Sequence, residues 1–225
     1  MTHYGTATAA LPDPSTVREQ LFLLAHDEDR NLRPWIHVPA LEVGLAGAAL
    51  IDLVIAPGHQ FVAAHSNRYN GWTPQVVPAD PGTEHVVQHL TGLLPAVLRE
   101  LGPGLYDTTS SALAARGYIR RNRQWGRDRY HLADVSPLVR IRAKVRHHIT
   151  ATQPQPNVET EALCALISAL NMGECLIFGV SRTDIAGLLQ QLTTRPSSPA
   201  DPRPTIAHVA RAVRNAIDHL ALSAM

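Results

Sequence analysis

The sequence predicts a mainly α-helical protein: a single helical domain around a buried central helix bundle, with one basic β-hairpin protruding from it. Three observations carry that expectation. Apolar residues recur at three- and four-residue spacing through most of the longer segments. Caps, entry prolines and exit glycines bracket those segments. The clearest strand pair is Tyr118–Arg121 with Arg129–Leu132, around a turn at Gln124–Arg127. At 225 residues, 45% hydrophobic and 17% charged, the chain can bury one core without a metal or disulfide staple.

Residues 1–14 are small, polar and proline-punctuated, which predicts a flexible N-terminal tail ahead of a domain spanning 15–225. Thr16-Val17-Arg18-Glu19 has capping-box spacing, so a helix starts there and turns Val17, Leu21, Phe22, Leu24 and Ala25 inward. Asp27, Glu28 and Asp29 follow as a solvated acidic turn. Pro39 suits the first turn of a second helix reaching about Ile55, whose apolar residues leave little polar face and place it at the centre of the fold. Gly44 and Gly47 let neighbouring helices approach it closely. Pro57-Gly58 ends it, and Gln60–Ala64 forms a short strand before a loop at Asn70-Gly71.

A third helix is expected over Thr83–Leu101 with Val86, Val87, Leu90, Leu93, Leu94, Val97 and Leu98 inward, ended by Gly102-Pro103-Gly104. A fourth covers Tyr106–Arg116 and stops at Gly117. After the hairpin, Ser136-Pro137 opens a helix to about Ile149. Beyond the polar linker at Thr150–Asn157 come apolar helices at Glu161–Leu170 and Glu174–Phe178 and a capped start at Ser181. A proline-rich loop over Pro196–Pro204 precedes the last helix, Thr205 to about Leu222.

The net charge of +1 conceals an asymmetry. Arg116–His148 holds ten Arg or Lys against Asp128 and Asp134, leaving ten basic and seventeen acidic residues elsewhere. Such a block meets phosphate, on lipid or on nucleic acid, or forms a solvated face. Met1–Pro14 lacks a basic segment followed by an apolar one, so no secretory signal is expected. Val38–Ile55 is too short and too interrupted for a membrane span, so membrane contact is expected to be peripheral. Cys164 and Cys175 lie in apolar helical contexts and read as reduced core thiols. No glycine-rich phosphate loop, nucleophile elbow or zinc-spaced Cys/His set is present, and adjacent His147 and His148 diverge on a helix. Neither a cofactor nor catalysis is expected.

The run Leu21-Phe22-Leu23-Leu24-Ala25-His26-Asp27, followed by Gly44-Leu45-Ala46-Gly47-Ala48-Ala49-Leu50-Ile51-Asp52-Leu53, resembles the opening of Golgi phosphoprotein 3-like proteins. Leu113-Ala114-Ala115-Arg116-Gly117-Tyr118-Ile119 ahead of a hairpin, then Ser136-Pro137 and a basic helix, resembles their middle. Glu161-Ala162-Leu163-Cys164-Ala165-Leu166-Ile167, the segment from Gly173 to Phe178 and a closing helix resemble their end. Together the likeness spans about residues 16–224. It implies a helical fold around a buried bundle with a protruding hairpin. It also implies binding of phosphatidylinositol 4-phosphate, with which the eukaryotic members help retain glycosyltransferases in the Golgi. The family's lipid pocket uses a tryptophan just before the buried helix, matched by Trp35, and three arginines. One of those falls at Ala46, and the other two belong on a helix where Gly102–Ser111 holds no basic residue.

The lipid-binding candidates are therefore Trp35 and the hairpin residues Arg120, Arg121, Arg123, Trp125, Arg127 and Arg129. The arginines surround Trp125 at the tip, pairing cations with an aromatic that favours the headgroup layer. The partners expected are anionic lipid headgroups, phosphoinositide among them, and a second copy of the chain through the hairpin. The location expected is cytoplasmic, peripheral at the inner membrane face. An alternative stands beside this: helix, Gly117-Tyr118-Ile119 and an Arg-rich hairpin also form the order of a winged-helix DNA-binding module. Against it, the would-be recognition helix offers no Arg, Lys, Asn or Gln to base edges.

Overall fold

The computed structural model describes residues 11–28, 31–56, 60–66, 71–77, 93–124, 127–151, 156–173 and 201–223; at 60–66, 71–77 and 123–129 the description is of the backbone. In chain order the elements are α1 (Val17–Leu24), β1 (His26–Asp27), β2 (Arg33–Pro34), α2 (Val38–Ile55), β3 (Gln60–Ser66) and β4 (Gly71–Val77). Then come α3 (Leu94–Leu101), α4 (Leu105–Ala115), β5 (Ile119–Gln124), β6 (Arg127–Leu132), α5 (Ser136–Thr150), α6 (Val158–Ala169) and α7 (Arg203–Ser223). The protein is mainly helical, and its strands pair only as three antiparallel ribbons among the described residues.

Helix α1 begins where the capping box predicts, with Thr16 Oγ1 accepting the Glu19 N–H at 3.1 Å. The Glu19 side chain does not close the box; Arg116 takes it instead. Asp52, far along the sequence in α2, accepts the N–H groups of Val17 at 2.7 Å and Arg18 at 3.2 Å. Three donors that a helix start leaves orphaned are thus satisfied, two of them by a neighbouring helix. That ties the entry of α1 to the second half of α2.

Helix α2 is the hub, packing against α1, α3, α4, α6 and α7. Its middle, Leu41 to Ile51, is buried apart from Glu42 and Ala49, while Pro39 in its first turn is exposed and Asp52–Ile55 is half-buried. Among the described residues it is the one helix long and apolar enough to cross a membrane, with a mean hydropathy of 1.9, and it is spent on the core. The close approach expected at Gly44 and Gly47 is present. A Cβ on Gly47 would lie 2.5 Å from Val213 Cγ2 of α7, and one on Gly44 would lie 2.9 Å from Leu170. Glycine here removes the side chain that would hold the helices apart.

Two helix ends share one device. After α4, Gly117 at φ +81° lets its own N–H reach Ala114 O and that of Tyr118 reach Leu113 O, both at 3.0 Å. After α6, Asn171 at φ 56° does the same for Ser168 O at 3.1 Å, and Met172 reaches Ile167 O at 3.0 Å. In both, the residue following the left-handed one (Tyr118, Met172) is buried, completing the Schellman arrangement. Helix α7 is locked to α6 by Arg203 Nε, 2.6 Å from Glu161 Oε2, with Glu161 only 1% exposed.

Several expectations are corrected. The described part of the third helix starts at Leu94, with Pro95 in its first turn, so Leu93 lies outside the inward face and is 40% exposed. Residues 78–92, carrying Val86, Val87 and Leu90, lie outside the described residues, as do Glu174–Phe178 and Ser181. Strand β4 was not foreseen: it pairs with β3 from Gln60↔Val77 to Ser66↔Gly71, so Gly71 opens a strand, while 67–70 lies outside the described residues. Of the acidic turn expected to be solvated after α1, Asp27 is buried and Glu28 pairs with Arg142, while Asp29 lies outside the described residues. Of the segment expected as a mobile tail, Leu11–Pro14 is held against α5 by contacts described below.

Candidate functional site

The basic hairpin forms and is longer than the sequence predicts. Strands β5 and β6 pair from Ile119↔Leu132 through Arg121↔Tyr130 to Gln124↔Arg127, and Trp125 lies outside the described residues. The pleat then sorts the arginines in a way the linear sequence does not show. Positions 119, 121 and 123 share a face with their partners 132, 130 and 128. Ile119 is buried, and Leu132 and Tyr130 pack on the core, so this face turns inward at its base. The opposite face carries Arg120, Asn122 and Gln124 with His131, Arg129 and Arg127. Arg120, Asn122 and His131 are exposed, and no acidic residue falls on that face. By register, Arg120, Arg127 and Arg129 fall on one face of the ribbon and Arg121 and Arg123 on the other, with Asp128 directly across from Arg123; Arg121, like Arg120, is exposed.

Much of the remaining basic block is matched inside the fold. Arg116 lies 2.5 Å from Glu19 and stacks over the Tyr118 ring at 5.1 Å. Arg142 binds both oxygens of Glu28. Arg140 Nε sits 2.7 Å from Asp13, whose other oxygen binds Lys144. The Arg142 hydrogen bond, opposed by partial burial, holds Glu28 below the usual carboxylate range. Burial pushes Asp13 up, but the hydrogen bonds and charges of Lys144 and Arg140 outweigh it and leave its carboxyl low. Four of the ten bases thus answer acids lying 97 to 131 residues away. No local sequence signal marks Asp13, Glu19 or Glu28 as their partners.

Trp35 occupies a separate corner. Its N–H donates to Ala25 O at 2.9 Å, continuing the β1–β2 ribbon, and its ring is 38% exposed just before α2. It is thus no core anchor. Beneath this corner His26 is fully buried, stacked on Phe22 at 4.3 Å. Its Nδ1–H donates to Phe22 O at 2.6 Å, and Nε2 accepts the Tyr106 hydroxyl at 3.0 Å, which fixes the neutral tautomer. Burial drives the His26 pKa down to about 4.

The family's other headgroup arginines would stand on α2 and α4. Ala46 is 1% exposed, inside the core. At the start of α4, the Gly104 N–H is already taken by Glu42 Oε1 at 2.8 Å, and the exposed first turn shows Asp107. A helix N-terminus attracts anions, and here a carboxylate of the chain itself fills it. A phosphate brought there would meet Glu42 and Asp107 and no cation among the residues of α4.

Other groups considered in the sequence are placed without chemistry. Burial pushes the Cys164 thiol up to about 12, so it stays protonated. His148 is buried and His147 exposed, so the pair diverges as expected. Among the described residues no group of three or more His, Cys, Asp or Glu is placed to hold a metal.

Fold and site together define a helical-bundle protein whose distinguishing surface element is an arginine-bearing hairpin. The family model for Golgi phosphoprotein 3 (GPP34) matches residues 17–220, and the chain belongs to that family. No curated protein matches the chain.

Proposed function

We propose that this protein is a non-catalytic peripheral membrane-binding module that docks on anionic lipid surfaces through the β5–β6 hairpin. The observation that carries this reading is the register of the ribbon, which places Arg120, Arg127 and Arg129 on one face together with Asn122, Gln124 and His131 and no acidic residue. A basic residue near an anionic surface contributes roughly 1 kcal/mol, so three amount to a useful but salt-sensitive attraction of about 3 kcal/mol. Trp125, between the strands, supplies an aromatic suited to the headgroup layer. The filled N-terminus of α4 and the buried Ala46 argue for recognition of surface charge and not of one phosphoinositide headgroup. The inner face of a plasma membrane is the anionic surface this reading requires.

Vesicle co-sedimentation tests it. Phosphatidylcholine vesicles are compared with vesicles carrying phosphatidylserine or, at matched charge, phosphatidylinositol 4-phosphate, each at two salt concentrations. Binding to both anionic compositions alike, weakened by salt and by Trp125→Ala, is expected. Equal binding to neutral vesicles, or none to any, sinks the reading. Selective binding to the phosphoinositide vesicles would restore headgroup specificity.

The order α3, Gly102-Pro103-Gly104, α4 and hairpin is also that of a winged helix. The exposed residues of α4 include Asp107, Thr108 and Ser111, which repel or ignore the DNA backbone and read no base bidentately. Salt-sensitive binding to a DNA duplex and not to vesicles would favour that alternative. A hairpin-mediated dimer, seen by light scattering and lost in Trp125→Ala, would favour self-association.

A further inference from the structure

We propose that α5 carries a second lipid-phosphate-binding row, Arg140, Lys144 and His147, which the segment Leu11–Asp13 covers until an anionic membrane displaces it. The proposal rests on the membrane reading above and adds a site and its control to it. The three residues fall at i, i+4 and i+7 and so share one side of the helix. The row lies on the helix that directly follows the hairpin in the chain.

The cover is held by few and separable contacts. Arg140 Nε donates to Asp13 Oδ1 at 2.7 Å, and its Nη2 donates to Leu11 O at 2.5 Å. Lys144 binds the other Asp13 oxygen, and the Leu11 N–H reaches Asp134 Oδ2 at 3.4 Å. The ion-paired side chains are 39% and 56% exposed on the basic side, so each pair is of the surface kind that contributes little. One carboxylate, Asp13, thus bridges both Arg140 and Lys144, while Asp134 lies within electrostatic reach of Arg140. Behind the cover lies a fixed point: buried Gln20 Nε2 donates to Pro14 O at 2.9 Å. The segment can therefore swing away at Pro14 without disturbing α1. A membrane presents many phosphates at once, against which one carboxylate competes poorly. Leu11, released from the core edge on which it now packs, becomes an apolar group at the same surface.

The test compares wild type, Asp13→Asn, Asp13→Asn with Arg140→Gln and Lys144→Gln, and Asp218→Asn on exposed α7 as an equal-charge control. All are titrated with phosphatidylserine/phosphatidylcholine vesicles. Asp13→Asn should bind up to about thirtyfold more tightly than wild type, from two unmasked bases. The triple variant should lose that gain, and Asp218→Asn should show no gain of that size. An unchanged Asp13→Asn, a gain that survives in the triple variant, or an equal gain from Asp218→Asn overturns the proposal while leaving hairpin docking standing. Binding by Asp13→Asn but not by wild type supports the covered row and overturns hairpin docking as sufficient. No binding by any of them overturns both. Hydrogen exchange on the wild type gives a readout free of substitutions: the Leu11 amide should exchange faster with vesicles present, and unchanged exchange on bound protein overturns the proposal.

Discussion

Replacing Gly47 by alanine should destabilise the protein, although alanine is the better helix former by about 1 kcal/mol. The new Cβ would stand 2.5 Å from Val213 Cγ2, with Leu166 Cδ2 at 3.4 Å and Val209 Cγ1 at 3.5 Å behind it. Carbon atoms rest at about 3.5–4.0 Å, so the overlap exceeds ~1 Å. Neither helix can simply back away: α2 is packed on five other helices, and α7 is pinned at its start by the Arg203–Glu161 pair. Overpacking of this kind costs about 1–3 kcal/mol. Subtracting the propensity gain leaves a net loss of up to about 2 kcal/mol, the ~1 Å overlap placing it towards that upper end, or a fall in Tm of up to about 4–8 °C for a chain of this size. Val213→Ala alone opens space and costs about 2 kcal/mol. Combined, the two changes should fit one another, with a coupling energy of about 1–2 kcal/mol in favour of the pair. Thermal and urea unfolding of the four proteins gives all of these values. A Gly47→Ala protein as stable as wild type, or a cycle with no coupling, would show that α2 and α7 do not meet through this glycine.

Two further outcomes follow from buried charge. Arg203→Met should destabilise the protein, because it removes the guanidinium paired with Glu161, which is 1% exposed; the Arg203→Met, Glu161→Leu pair should recover part of that loss in urea melts, and a single variant with wild-type stability would refute a stabilising role for the pair. His26 gives a pH signature. With its pKa lowered to about 4 from an ordinary 6.5, the unfolded chain binds the proton first, so its contribution is complete above pH 6.5 and is lost as pH falls towards 4. The full span is about 3 kcal/mol. Asp52, pushed up to about 6 by burial, acts in the opposite sense, its contribution falling as pH rises from the ordinary aspartate value to about 6. The comparison must therefore be against His26→Gln, which should be less stable at pH 7 yet lose less stability between pH 6.5 and 4. Parallel pH profiles for the two proteins would refute the neutral buried tautomer.

Local patterns were enough for the helices. Thr16, Pro39, Pro137 and Gly117 mark ends, and those marks act through the chain's own neighbouring N–H and C=O groups, which depend on a few adjacent residues; Asn157, capping an α6 that begins three residues earlier than expected, reads as linker in the sequence. Apolar spacing likewise identified α2 as central, since a helix with almost no polar face has nowhere else to go. The basic hairpin was legible from its strand residues, although its length was not, because Arg and Gln at β5's end carry no burial signal. β4 was missed because Gly71–Val77 contains Pro74, and a proline inside a run argues against a strand unless it lies at an edge, as here in a two-stranded ribbon.

The sequence by itself determined that this chain is a helical bundle with an arginine-rich hairpin and a local excess of positive charge. Only the tertiary structure decided which of those charges stay available. Coulomb attraction acts through space, while composition records only neighbours along the chain. Asp13, Glu19 and Glu28 lie about a hundred residues or more before Arg140, Arg116 and Arg142, yet folding sets them in contact. The pleat then divides the hairpin arginines between an inner and an outer face, and Glu42 fills the helix start where a phosphate would otherwise be drawn. What was one basic block in the sequence becomes a partly neutralised helix and a ribbon whose two register faces share its arginines.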